Sequence, residues 1–356
     1  MNAPSPQNAH ATAWHAANRA YVIDCLAQLR RQLEAKAGKA IAPALPELAR
    51  PFPLRKLQLY AQVSQWVLHL AIAQGSALKQ LCQHLQLSPF EVQVLLLCAG
   101  AELEATWGPL CAAAQADPQR PYPTFGLALA LFPGAHWSAL TPDAPLRRWQ
   151  LLRLNPEQPL TSSPLRIDER IVHYLLGLTY LDEALAGRLQ RVTSATPLVP
   201  SHQAIVTQIT QLWQNITPPA TYPVIQLCGP DRAGKQAIAV ATCQQIGLRL
   251  YSLSTYLLPT PTQELQALIR RWNRESVLTR SALLIDDDGV TSDGNQHQAA
   301  LTHALEQMAG PVFISSRDRR PPGHRVVITF DIDSPTAPEQ RQLWHTSLGD
   351  TAASLN

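Results

Sequence analysis

Residues 228–236 read CGPDRAGKQ. The spacing is that of a phosphate-cradling loop: Gly229, four residues, Gly234 and then Lys235. Glycines let successive backbone N–H groups turn inward on an anion, and the N-terminus of a following helix adds positive potential. A lysine at this place reaches the outer phosphates, and the hydroxyl that normally follows it ligates Mg²⁺. The residue here is Gln236, which has no hydroxyl. The stretch poses a choice between a working nucleotide site, an impaired one and a packed turn.

The flanks set the fold. PVIQLC (223–228) reads as a buried strand running straight into the glycines, and AIAVATCQQIG (237–247) as the helix after them. LRLYSLS is a strand, 261–279 a helix, SALLIDDD (281–288) an apolar strand ending in acids, 295–310 a helix, and PVFISSR and RVVITFDI two more strands. Alternation with short connections predicts a parallel α/β sheet with helices on both faces. Upstream, residues 8–38 read as an amphipathic helix carrying Trp14, Tyr21, Leu26, Leu29 and Leu33, and 54–74 as a second. LSPFEVQVLLLCAGAEL (87–103) opens with Ser88, Pro89 and Glu91, a capping box, and is apolar nearly all round. Short helices follow to about 148, then two short strands around a proline-rich loop, then the helix ERIVHYLLGL, which together match a winged helix. RVTSATPLVPSHQ (191–203) reads as a linker before a helix at 204–216. The expected organisation is an N-terminal helix and connector (1–50), a winged-helix-like domain (51–190), a linker and helix (191–222), an α/β P-loop sheet domain (223–345) and a tail (346–356).

Composition narrows the function. Net charge is +3 and charged residues are 15% of 356, against about 25% in typical globular proteins, so bulk electrostatics do not recruit nucleic acid. Arg147, Arg148, Arg153 and Arg166 offer few phosphate contacts, and the wing tip has no Lys or Arg. The six cysteines have no zinc spacing and read as reduced, mostly buried thiols. The start, MNAPSPQNAHATAW, has no basic or apolar signal region, and the longest apolar run is far too short for a membrane span. The expectation is a cytoplasmic protein without a membrane partner.

The chemistry, if present, belongs at the carboxyl edge of the sheet. Gly229, Pro230, Asp231, Arg232, Ala233, Gly234, Lys235 and Gln236 would hold nucleotide. Asp286 would hold Mg²⁺ through water, and Asp287 would polarise the attacking water. Ser315 or Ser316 would give a polar contact near the reacting phosphate. Arg317, Arg319, Arg320 and Arg325 crowd the next loop and read as a solvated basic cluster.

Together these stretches resemble the AAA+-type ATPases encoded with extracellular contractile injection systems. Residues 87–132 resemble that family's winged-helix region; IQLCGPDRAGKQAIA and ALLIDDD resemble its first, degenerate ATPase module. ITFDIDSPTAPEQRQLW, with Pro335 and Arg341, resembles the stretch after its last core strand. The resemblance implies ATP and Mg²⁺ as cofactors, and other AAA+ modules or injection-system proteins as partners, with a homo-oligomer compatible. The sequence departs from the family in ending soon after RQLWHTSLGD, without a lid or a second module. The expectation is a fragment or one half of a split ATPase. Gln236 lacks the Mg²⁺-ligating hydroxyl, and Asp287 is one methylene shorter than the usual Glu. Three readings stay open: a nucleotide-binding pseudo-ATPase with little hydrolysis, a slow but genuine ATPase, and a protein-interaction scaffold that uses no nucleotide.

Overall fold

The structure is a computed structural model and describes residues 6–41, 76–193, 197–216, 221–288, 295–321 and 323–348. The helix expected at 54–74 and the proline-rich connector before it lie outside these residues. The chain divides into two compact units, Met1–Tyr180 and Leu181–Asn356.

In the first unit, α1 (Pro6–Ile41) buries Val22, Cys25, Leu29, Leu33 and Ala37. That stripe has helical spacing but is centred differently from the expected one, since Leu26 is only half-buried. Buried Asn18 donates to the Leu175 carbonyl (2.7 Å) and accepts from the Ala77 N–H (2.8 Å), tying α1 to two other segments. Helix α2 spans Ala77–Leu85, and α3 spans Pro89–Leu103. The Ser88–Glu91 capping box forms, and α3 is buried continuously from Phe90 to Gly100, as its all-round apolar sequence requires. Helices α4 (Trp107–Ala114), α5 (Phe125–Leu131) and α6 (Pro145–Arg148) lead to an antiparallel pair, β1 (Leu152–Arg153) and β2 (Arg166–Ile167). Helix α7 (Glu169–Leu175) follows, capped by Asp168.

The second unit is built on a six-stranded sheet. It opens with α8 (Glu183–Ala186) and β3 (Gln190–Val192), then α9 (Pro200–Gln214) and β4 (Val224–Cys228). After these come α10 (Arg232–Gln245), β5 (Arg249–Ser254), α11 (Thr262–Thr279) and β6 (Ser281–Asp286). The last elements are α12 (Asn295–Gln307), β7 (Val312–Ser316), β8 (Val327–Asp331) and α13 (Ala337–Leu348). Strand order is β3-β5-β6-β7-β4-β8. All pairs are parallel except β3, which joins β5 antiparallel at the edge. The expected linker at 191–203 therefore contains the end of an edge strand and the first turn of α9.

Strand residues alternate between two cores. On β6, Leu283 and Ile285 pack with Trp272 of α11 and Leu301 of α12, while Ala282 and Leu284 pack with Trp213 of α9 and Ile238 of α10. A buried ion pair, Arg274 to Asp182 (2.6 Å), fastens α11 to the cap of α8. Among the described residues no helix is long and apolar enough to cross a membrane.

Two predictions test this packing. A Cβ on Gly100 would come within 2.5 Å of the Trp107 indole, which is 1% exposed. Gly100→Ala gains at most about 1 kcal/mol of helix propensity. It loses more to overpacking, a cost of ~1–3 kcal/mol against an immovable ring. Urea denaturation should show net destabilisation; a more stable variant would refute the tight contact.

Glu339, near the start of α13, accepts from the Ser201 N–H at the start of α9 (3.1 Å) and from the Thr336 N–H and hydroxyl (2.9 Å each). These hydrogen bonds, that from Ser201 foremost, hold its carboxyl down to about 2. A depressed carboxyl stabilises the fold fully above its unfolded pKa of ~4.3 and loses that contribution as pH falls toward 2. Glu339→Gln should flatten the acid limb of melting temperature between pH 5 and pH 2, and a limb identical to wild type would count against the clamp.

Candidate functional site

Strand register sets up the site. Parallel pairing puts Cys228 opposite Ser316 on β7 and Asp331 on β8, and Ser315 opposite Asp286 on β6. The glycine loop, the acids and the two serines therefore meet at one carboxyl edge, where open parallel sheets bind ligands. The sequence motifs are adjacent in space, as their placement on alternate strands requires.

Their local geometry differs from an open cradle. Helix α10 begins at Arg232, so Arg232, Ala233, Gly234 and Lys235 lie in its first turn and not in a loop. Asp231 is the N-cap, and its carboxylate accepts the Gly234 N–H at 2.9 Å. The Lys235 N–H bonds to the Asp231 carbonyl at 3.0 Å. Gly229 has φ +137°, and a Cβ there would fall 2.2 Å from the Ile332 carbonyl oxygen, so close backbone approach after β8 demands glycine. Gly234 is equally confined: a Cβ would meet the Asp231 carboxylate at 2.3 Å and the His202 ring at 2.7 Å. His202, 4% exposed on α9, donates from Nε2 to the Asp333 carbonyl at 3.2 Å.

Lys235 is fully buried. Its ammonium donates to the Gly229 carbonyl (2.7 Å), the Ser316 carbonyl (2.9 Å) and the Asp288 carboxylate (2.5 Å). An ammonium has three N–H groups, so all are taken up within the chain. Asp288 also accepts from the Ser315 hydroxyl at 2.5 Å. The three consecutive acids do not converge on a common point; each faces its own cation. Asp286 pairs with Arg232, Asp287 with Arg320 (3.1 Å) and Asp288 with Lys235. Among the described residues no three acidic, histidine or cysteine side chains gather as a metal site. Ser316 donates to the Asp318 carbonyl (2.9 Å) and accepts from buried Gln226 (2.8 Å). Gln236 is exposed, and Pro230 and Ala233 contribute no side-chain polar group.

The following loop is engaged in part, through Arg320 and Arg325, while Arg317 and Arg319 stay exposed. Arg319 pairs with Asp331, and Arg320 also donates to Gln298 (2.6 Å). Arg325 donates to carbonyls at the end of α12 and to Tyr222, and burial lowers its pKa to about 10. Arg317 is exposed and makes no side-chain hydrogen bond or ion pair among the described residues. Burial also pushes the Cys228 thiol up. An open cavity of about 900 Å³ lies on the α12 side, lined by Asp287, Asp288, Ser316 and Arg320 among others, but by none of residues 229–236.

Mg²⁺-nucleotide is the group that the glycine spacing implies, and the residues as placed do not fit it. The lysine has no free donor, the Gly234 N–H is capped by Asp231, Asp286 is opposed by a guanidinium, and no hydroxyl stands at 236. The sequence gives Asp288 and His202 no role at the site, and Arg320, expected to be solvated, pairs with Asp287. The third acid of DDD was the available signal for the first; nothing in the sequence pointed to His202.

Residues 2–189, just over half of the chain, match the family described as Winged helix domain, variant. The chain belongs to that family. The match fits the β1–β2 pair set among helices in the first unit. A search of curated proteins finds no match. Among solved structures, PCH-2 of C. elegans aligns with 13% identity over 44% of this chain and 49% of its own, TM-score 0.29. The E. coli MS115-1 HORMA:CdnC:Trip13 complex aligns with 12% identity, 48% and 78% coverage and TM-score 0.29. Rhizobiales Trip13 aligns with 17% identity, 46% and 75% coverage and TM-score 0.27. The winged-helix-variant chain thus spans about half the length of the PCH-2 chain that it matches.

The buried Lys235–Asp288 pair makes a stability prediction. Lys235→Ala strands a carboxylate and two carbonyls, and breaking such a pair costs about 3–5 kcal/mol. Lys235→Ala/Asp288→Asn should recover a large part of that loss in chemical denaturation. A Lys235→Ala variant as stable as wild type would show that the pair does not hold the fold.

Proposed function

We propose that this protein is a degenerate AAA+-like module carried behind a winged-helix domain, and that it works as a protein-interaction scaffold and not as a turning-over ATPase. The observation that carries the reading is Lys235: buried, with every donor satisfied by the chain itself. The order of strand, glycine turn, helix and acid-ended strand, with β4 between β7 and β8, supports the AAA+-like ancestry. The resemblance of residues 87–132 supports an assembly or remodelling role beside a contractile injection system, with a second ATPase module or an injection-system protein as partner.

The first unit favours protein contact over DNA. Arg147 donates to the Leu140 carbonyl, Arg148 lies over Trp149 and Arg153 pairs with Asp168, which leaves few arginines for phosphates.

Titration of the purified protein with a fluorescent ATP analogue, with and without Mg²⁺, tests the reading. No saturable signal is expected. Saturable binding displaced by unlabelled ADP would overturn it in favour of a nucleotide-binding pseudo-ATPase, and phosphate release on top of that would favour the slow ATPase.

A further inference from the structure

Two of the groups that shut the glycine turn are carboxylates of the chain, Asp231 and Asp288. The Gly234 N–H and the Lys235 ammonium are the donors that a phosphate would use, and they are held in place at the start of a 14-residue helix. Asp231 takes the first at 2.9 Å and Asp288 the second at 2.5 Å. The other oxygen of Asp288 holds the Ser315 hydroxyl on β7. The helix, the end of β6 and the end of β7 are thereby joined through negative charge, as a bound oxyanion would join them. His202 closes the side of the turn against Gly234.

Local charge matches this arrangement. Arg232, Lys235 and Arg320 face Asp231, Asp286, Asp287 and Asp288, three cations against four carboxylates. With Asp231 and Asp288 neutralised, three cations would face two carboxylates, the Gly234 N–H would lose its side-chain acceptor, and the Lys235 ammonium would lose its charged partner while keeping the Gly229 and Ser316 carbonyls.

We infer that Asp231 and Asp288 are built-in substitutes for phosphate oxygens, so that the second unit keeps its packed form with no bound anion. The inference rests on the reading above that the turn takes no nucleotide. It differs from simple loss of function, because the donors persist and are masked.

Anion rescue of stability tests it. Full-length wild type and Asp231→Ala/Asp288→Asn are melted in sodium pyrophosphate and in sodium chloride of equal ionic strength. Wild type should melt at the same temperature in both. The variant should melt lower in chloride and be raised saturably by pyrophosphate, by roughly 5–10 °C at a hundredfold excess over its dissociation constant. A cooperative melt of the variant with no pyrophosphate-specific rise overturns the substitution idea and leaves the scaffold reading standing. An equal rise in wild type overturns the scaffold reading itself. If the double variant does not fold, Asp231→Ala, which loses the cap but keeps the Lys235 pair, must show a smaller saturable rise; none would sink the inference.

Discussion

A lysine ammonium with no solvent exposure must find acceptors or lose its charge. Lys235 finds three, and they come from three places: the turn after β4, the end of β7 and the segment after β6. The geometry of the carboxyl edge follows from that requirement. Parallel register puts Cys228 opposite Ser316 and Asp286 opposite Ser315, and the ammonium sits where the Gly229 and Ser316 carbonyls and the Asp288 carboxylate can reach it. Gly229 adopts its positive φ because the backbone after β8 passes too close for a side chain. Each neighbouring acid is then left to a cation of its own. Had the lysine pointed outward, Asp288 would be the odd charge at this edge.

The same residue types can serve a ligand or the core, and the start of the helix decides which. In an open cradle the backbone between the two glycines stays outside the helix and turns its N–H groups to the anion. Here Asp231 caps the helix three residues before Gly234. Aspartate is among the strongest N-cap residues, and its carboxylate satisfies an N–H that the helix would otherwise leave free. A good cap in the middle of a glycine spacing therefore competes with phosphate for the same donors.

Much of the fold could be read from local pattern. Ser88–Glu91 predicted the start of α3, and the short buried strands with intervening helices predicted a parallel sheet, which holds for every pair but the β3 edge. What escaped was set by partners distant in sequence. Gln190–Val192 has no strand pattern of its own and becomes β3 because β5 offers a free edge. The α1 stripe centres on Val22 and Cys25, a choice made by the helices that it packs against. At the site, spacing placed the glycines, acids and serines on one edge, but not the pairing of Asp288 with Lys235 or the approach of His202, which depend on side-chain reach across elements.

Charge is scarce in this chain, and a few of its charged side chains are turned inward. Arg274 and Asp182 pair under α11, Arg325 holds the end of α12, and Arg170 stacks over Tyr174 and Tyr180. Charged residues used in this way fix the units but leave little electrostatic field for steering a polyanion. Large apolar or aromatic side chains are exposed as well: Trp137 at 61% in the first unit, and Tyr256 at 54% and Val326 at 67% in the second. Aromatic side chains on protein surfaces are the ones that interfaces favour, because they bury much area with few rotatable bonds.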